Sequence, residues 1–187
     1  MITSRERIAR AFDHREGDRV PVDLNGHRSS GIMVQAYIKL RKAIGLPARI
    51  PYVYDFIQQL ALVDDDVLGV FGADVVELGH DYYKKDDYWK NWELPDGTPV
   101  KIPAFIDVKK TSEGNIVSGD YGQVICIQKP GCLFFEQTCF PLSETQDEVF
   151  TNLPKDLQQI MWCRLGIMSR FWMWRGLAGR LPMLRGI

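Results

Sequence analysis

Between Tyr88 and Gln128 the chain changes its grammar, and that stretch constrains the fold more than any other. Short strand-like runs occupy 88–93, 100–102, 105–109, 116–118 and 123–128. Pro95-Asp96-Gly97-Thr98 and Ser112-Glu113-Gly114-Asn115 punctuate them, and Lys129-Pro130-Gly131 follows the last. Such runs are too short for stable helices and are bounded by turn formers. Strands joined by tight turns must run antiparallel. The expectation is an antiparallel meander over about 88–128.

The segment before it reads differently. Thr3-Ser4-Arg5-Glu6 is a capping-box pattern, and Ile8, Ala11 and Phe12 follow at helical spacing, predicting a helix over 4–14. His14 at its end complements the helix dipole. Val20, Val22 and Leu24 alternate as in a strand, with Pro21 confining it to an edge or a bulge. After the polar loop 25–31, a helix is expected over 32–44, with Gly45 and Pro47 as stop signals. Asp55 is placed to cap a short helix through Ala61. Asp64, Asp65 and Asp66 open another over 67–71, where they face the positive end of its dipole, and Gly72 ends it. Residues 73–78 read as a second core strand. Alternating helices and strands imply a parallel sheet. Leu153-Pro154-Lys155-Asp156 opens a last helical stretch.

Composition limits the function classes. The chain has 187 residues, 45% of them hydrophobic, with 23 Lys+Arg against 24 Asp+Glu. These proportions exclude a disordered chain, a collagen-like repeat and a coiled coil. The balanced charge argues against a nucleic-acid partner. Tyr82, Tyr83, Tyr88, Trp89 and Trp92 beside Lys84, Lys85 and Lys90 could form a stacking surface, but Asp86, Asp87 and Glu93 dilute its charge and strand packing is the preferred reading. Cys126, Cys132, Cys139 and Cys163 form no C-x-x-C pair, so free thiols in a reducing, cytoplasmic setting are expected. Cys126, in Val124-Ile125-Cys126-Ile127, reads as a buried inert thiol. No secretory signal and no membrane-span run are present. After Asp156 there are five arginines and no acids, leaving residues 1–156 at −6. This tail, 156–187, reads as truncated or frameshifted sequence. A membrane-surface or partner-docking helix is the rival, weakened by Gly166, Gly176 and Gly179.

Several pieces resemble a known family in order. They are Ser4-Arg5-Glu6-Arg7, then Asp18-Arg19-Val20-Pro21-Val22-Asp23-Leu24 with its glycine-containing loop, then Asp55-Phe56-Ile57-Gln58-Gln59-Leu60-Ala61. Asp65-Asp66-Val67-Leu68-Gly69-Val70-Phe71-Gly72-Ala73-Asp74, Phe134-Phe135-Glu136 and Phe140-Pro141-Leu142-Ser143 follow. Together they resemble the N-terminal part of the uroporphyrinogen-decarboxylase superfamily, over roughly residues 3–155. The resemblance implies an α/β fold, a (β/α)8 TIM barrel. Such barrels take about 250 residues. The expectation is therefore an incomplete barrel over 1–155 with the meander inserted.

The superfamily's two chemistries are the cofactor-free decarboxylation of uroporphyrinogen and methyl transfer, usually zinc-dependent, to or from a corrinoid. A polycarboxylate substrate needs arginines. The decarboxylases' paired arginines after the first strand are absent here, where Asn25, His27 and Arg28 stand instead. The resemblance implies that these three contact substrate. It sets Asp81 as the catalytic carboxylate at the end of the second strand, and His80 beside it is a candidate catalytic acid–base group or ligand by its place near a strand end. The plainer alternatives are an exposed loop carboxylate for Asp81, a salt-bridging arginine for Arg28 and exposed loop histidines for His27 and His80. Zinc ligands of the methyltransferase branch, a His-x-Cys pair and a distant Cys, have no counterpart among the cysteines of this chain. No cofactor is expected within it, zinc and corrinoid belonging to a full-length methyltransferase-type relative. The expected partners are a small-molecule substrate, tetrapyrrole or methylated compound, and a second copy or a downstream polypeptide. The wording of 20–26 and the meander favour the methyltransferase-type branch. The chain alone is expected to lack turnover. A cation site at Asp64–Asp66 is the weaker alternative to helix capping.

Overall fold

The computed structural model describes residues 2–77, 85–143 and 151–165. Helix α1 (Ser4–Phe12) starts at the anticipated capping box. Thr3 Oγ1 accepts from the Glu6 amide at 3.2 Å, and the Glu6 carboxylate accepts from the Thr3 amide at 2.8 Å. Two donors that the helix leaves unpaired are thereby satisfied.

Strand β1 (Ile32–Met33) precedes helix α2 (Val34–Ala43). Ile32 and Met33 were expected inside that helix. They pair antiparallel with Ala61 and Leu60 of a later strand instead. Strands β2 (Val53–Asp55) and β3 (Leu60–Ala61) complete a three-stranded sheet in the order β1-β3-β2. The helix expected over 55–61 does not form. The Asp55 carboxylate does accept from the Gln58 amide, at 2.9 Å, as a cap would. Gln59 then takes a left-handed φ of 56° and returns the chain to the sheet, its carbonyl accepting from the Val34 amide at 2.8 Å. Helix α3 (Asp65–Phe71) stops at Gly72, whose φ of 59° suits a residue without Cβ.

The meander forms as short antiparallel strands. β4 (Trp89–Glu93) and β5 (Pro99–Pro103) make a hairpin with Trp89 opposite Pro103. β6 (Val108–Thr111), β7 (Gly114–Ser118), β8 (Val124–Gln128) and β9 (Glu136–Gln137) make a separate sheet in sequence order. Helices α4 (Leu153–Leu157) and α5 (Met161–Leu165) follow.

The chain divides into two compact units, one of Met1–Tyr54 with Gln59–Ala104, the other of Asp55–Gln58 with Phe105–Ile187. The first unit buries Val34, Tyr37, Val53, Tyr54, Val67, Val100 and Ile102. Trp89 is buried there too, edge-on to Tyr52 at 4.8 Å between ring centroids. The second buries Ile106, Val117, Ile125, Cys126 and Phe135, with Phe56 packed on Phe135 at 4.5 Å.

This architecture corrects the expectation of an α/β fold forming part of a TIM barrel. The ladders with assigned direction are antiparallel, and the helices between them are short. The two strands expected to start a parallel sheet, 20–24 and 73–78, form no ladder in their described residues. The Asp74 amide does donate to the Val22 carbonyl at 2.8 Å. The Val22 amide, however, donates to the Asp74 carboxylate at 2.9 Å rather than to backbone. Pro21 has no amide hydrogen to extend the pairing. Val20 lies 81% exposed, so no burial drives it into a sheet. A side chain has taken the place of the ladder.

Candidate functional site

Asn25, His27 and Arg28 lie on one loop of the first unit, residues 23–31. His80 and Asp81 fall outside the described residues. The loop's shape follows from its short polar side chains. Asp23 Oδ1 accepts from the Gly26 amide and from Ser30 Oγ, both at 2.8 Å. The Asn25 amide donates to the Ser30 carbonyl at 3.0 Å, closing the loop's base. Residues Arg28–Ser30 form one 3-10 turn. His27 caps it through Nδ1, which accepts from the Ser29 amide at 3.2 Å. With Nδ1 accepting, a neutral His27 ring carries its proton on Nε2.

Two glycines let the loop approach its neighbours. A Cβ on Gly26 would stand 2.6 Å from Val75 Cγ1, and one on Gly31 would stand 2.8 Å from Leu60 Cδ1. Both are closer than carbon atoms pack. Asn25 is 93% buried, with a left-handed φ of 65°. Its Oδ1 is buried and has no hydrogen-bond partner. His27 is exposed and Arg28 half-buried. Sequence reasoning missed Asp23 and Ser30, which hold the loop; a short acidic side chain opening a polar, glycine-containing loop is the signal that marks Asp23.

The segment under Gly26 is fixed by charge. Arg7 grips Asp18 with both carboxylate oxygens, Nε to Oδ1 at 2.7 Å and Nη2 to Oδ2 at 2.9 Å, and donates through Nη1 to Asp74. Arg19 reaches Asp74 Oδ2 at 2.7 Å and the Gly72 carbonyl at 2.8 Å. The Asp74 side chain is fully buried. The Val22 amide and the guanidinium groups of Arg19 and Arg7 hold its carboxyl well below the usual carboxylate range. The Arg7 hydrogen bonds hold Asp18 down at about 2. Fixed donors around a carboxylate favour its charged form. Asp74 therefore acts as a structural anchor for the segment that backs the loop.

Asp64 and Asp66 form neither a cation site nor a side-chain cap. Asp64 occupies the N-cap position of α3 without a capping bond. Its Oδ2 accepts from Arg41 at 2.9 Å and from the Tyr37 hydroxyl. Asp66 takes the same guanidinium with both oxygens, at 2.8 and 3.0 Å. Burial, with the Asp64 hydrogen bond, pushes the Tyr37 hydroxyl up to about 12. Asp65 and Asp66 still lie in the first turn, where the helix dipole favours them.

Cys126 is completely buried in β8, and that burial pushes its thiol up to about 12. Cys132 and Cys139 are half-exposed. Among the described residues no three His, Cys, Asp or Glu side chains gather as a metal site, so these thiols do not fit the zinc centre that the resemblance attaches to methyl transfer. Among the same residues no helix is long and apolar enough to cross a membrane. No protein-family model, curated protein or solved structure matches the chain.

Proposed function

We propose that the chain is a uroporphyrinogen-decarboxylase-like protein of the methyltransferase-type branch, supplying a substrate-binding loop, residues 23–31, for methyl transfer to or from a corrinoid. One observation carries the reading. Arg7, Asp18 with Arg19, and Asp74 come from three of the ordered motif pieces, and they meet in a single ion-pair network beneath that loop. The support is that these ion pairs join pieces of the motif set that lie almost seventy residues apart in the chain. The loop lacks the paired arginines of the decarboxylases, so uroporphyrinogen decarboxylation is the lesser alternative. No step is assigned to zinc.

The test is titration of the full chain with methylcobalamin and with uroporphyrinogen. Methylcobalamin should raise its melting temperature without losing its methyl group, and Arg28→Ala should weaken the effect. No response to methylcobalamin would sink the reading. Loss of carboxyl groups from uroporphyrinogen would transfer it to the alternative.

A second reading, a non-catalytic assembly module, has its own observation. Phe12, Val20, Val70 and Val76 of the first unit are each more than half exposed. Scattered singly such residues are ordinary, and where they adjoin they favour association. Light scattering across a concentration series separates the two. A concentration-dependent mass favours assembly with a second copy, and a constant monomer mass rejects it.

A further inference from the structure

Asn25 carries two unfavourable features at one position. A left-handed φ is tolerated by asparagine but is free of penalty only for glycine. A buried acceptor without a donor costs about 1–3 kcal/mol. Its neighbours show no such deficit: Asp23, His27 Nδ1 and Ser30 Oγ all have partners within the loop. The loop is thus fully braced by short side chains around one carboxamide that none of them satisfies. Glycine at 25 would relieve both features and keep the Asn25–Ser30 backbone bond.

We propose that Asn25 Oδ1 is a ligand-binding acceptor, and that the molecule taken up by the loop presents to it a neutral N–H of a ring amide or lactam. A carboxylate at this position would select a cation. A carboxamide selects a neutral donor, and its own amide group can return a hydrogen bond to the ligand's adjacent carbonyl. Oδ1 is shielded from solvent, so the donor reaches it only when the loop opens. The bonds that brace the loop, Asp23 to Gly26 and to Ser30, lie at the surface and can open without exposing the core. This inference rests on the 23–31 loop being the substrate-binding loop, and not on methyl transfer.

A matched pair of probes tests it. 2-Pyrrolidinone carries the ring N–H, and N-methyl-2-pyrrolidinone has it blocked with little other change. Each is titrated into the full chain carrying a 15N-labelled asparagine side chain, with the Asn25 carboxamide resonance as readout. The N–H lactam should bind about five-fold more tightly than its N-methyl form, the ratio of one ordinary hydrogen bond. Asn25→Asp, whose carboxylate would select a cation and cannot return a hydrogen bond, should lose most of the preference. Asn25→Gly should lose it while the chain stays folded. Equal affinities, or no binding of either lactam, would assign the acceptor to a bound water and overturn the proposal. A preference that survives in Asn25→Gly would overturn it too. If the lactam preference holds while methylcobalamin has no effect, the loop reading stands and the methyl-transfer reading falls.

Discussion

Asn25 and Cys126 show how burial assigns opposite meanings to polar atoms. Cys126 is completely buried opposite Val117 in the pairing of β7 with β8, where a thiolate would be unsolvated. A thiol pushed up to about 12 is almost wholly protonated at pH 8 and is a poor nucleophile. Alkylation of the native chain with iodoacetamide, mapped by mass spectrometry, should therefore modify Cys132 and Cys139 and spare Cys126, which should react only in denaturant. Rapid native labelling of Cys126 would contradict its placement in β8. Asn25 holds an acceptor that burial leaves unpaired, so Asn25→Gly should stabilise the chain by about 1 kcal/mol, read from chemical denaturation. A loss of stability would mean that the carboxamide is satisfied after all. The Cys126 burial was legible from its apolar neighbours in the sequence. The state of Asn25 was not. A local sequence shows that a residue sits in a polar loop, but not that Val75, fifty positions away, closes over the next glycine.

Elements were legible where their signals were local. The strands of the meander lie within a few residues of their expected positions because each is bounded by its own turn formers. Gly114 is one of these. Its φ of 133° suits glycine, and a Cβ there would stand 2.2 Å from the Gln128 carbonyl oxygen on β8. Gly114→Ala has to break the pairing of β7 with β8 or distort the turn after Thr111, and should cost about 2–4 kcal/mol in equilibrium unfolding. A change below about 0.5 kcal/mol would show that this turn is slack. The strand expected at 20–24 failed for the opposite reason. Its pairing depends on residues around Asp74, and the Asp74 side chain takes the amide that a ladder would use. Asp74→Asn keeps the shape but removes the charge that Arg7 and Arg19 share, leaving Arg7 with Asp18 alone and Arg19 short of an anion. Removing one partner from a buried ion pair is strongly destabilising. A fall in melting temperature of roughly 5–10 °C is expected. An unchanged melt would show that the hydrogen bond to Val22 alone holds the segment.

The two units are held by different kinds of force, and acidity should separate them. The first contains Asp18, Asp66 and Asp74, each a carboxyl held below its ordinary range by arginine or backbone donors. For a carboxyl whose folded value is depressed, the stabilisation is complete above the unfolded value, near 4, and is lost as pH falls toward the folded value. For Asp18 that window runs from roughly pH 4 down to about 2. The second unit is built on backbone ladders around Val117, Ile125, Cys126 and Phe135, with Asp55 as a buried carboxylate bonded to the Gln58 amide. Lowering pH from 7 to 2.5 should therefore loosen the first unit before the second. Pulsed hydrogen exchange read by mass spectrometry measures this directly. Protection should fall first in α1 and α3, which the Arg7 and Arg41 ion pairs tie down, while β7 and β8 keep theirs. Asp74→Asn should bring that loss to a higher pH in α1 and leave β7 and β8 unmoved. Simultaneous loss of protection in all four elements at every pH would mean that the chain unfolds as one cooperative body and that the charge network does not set the acid limit of the first unit.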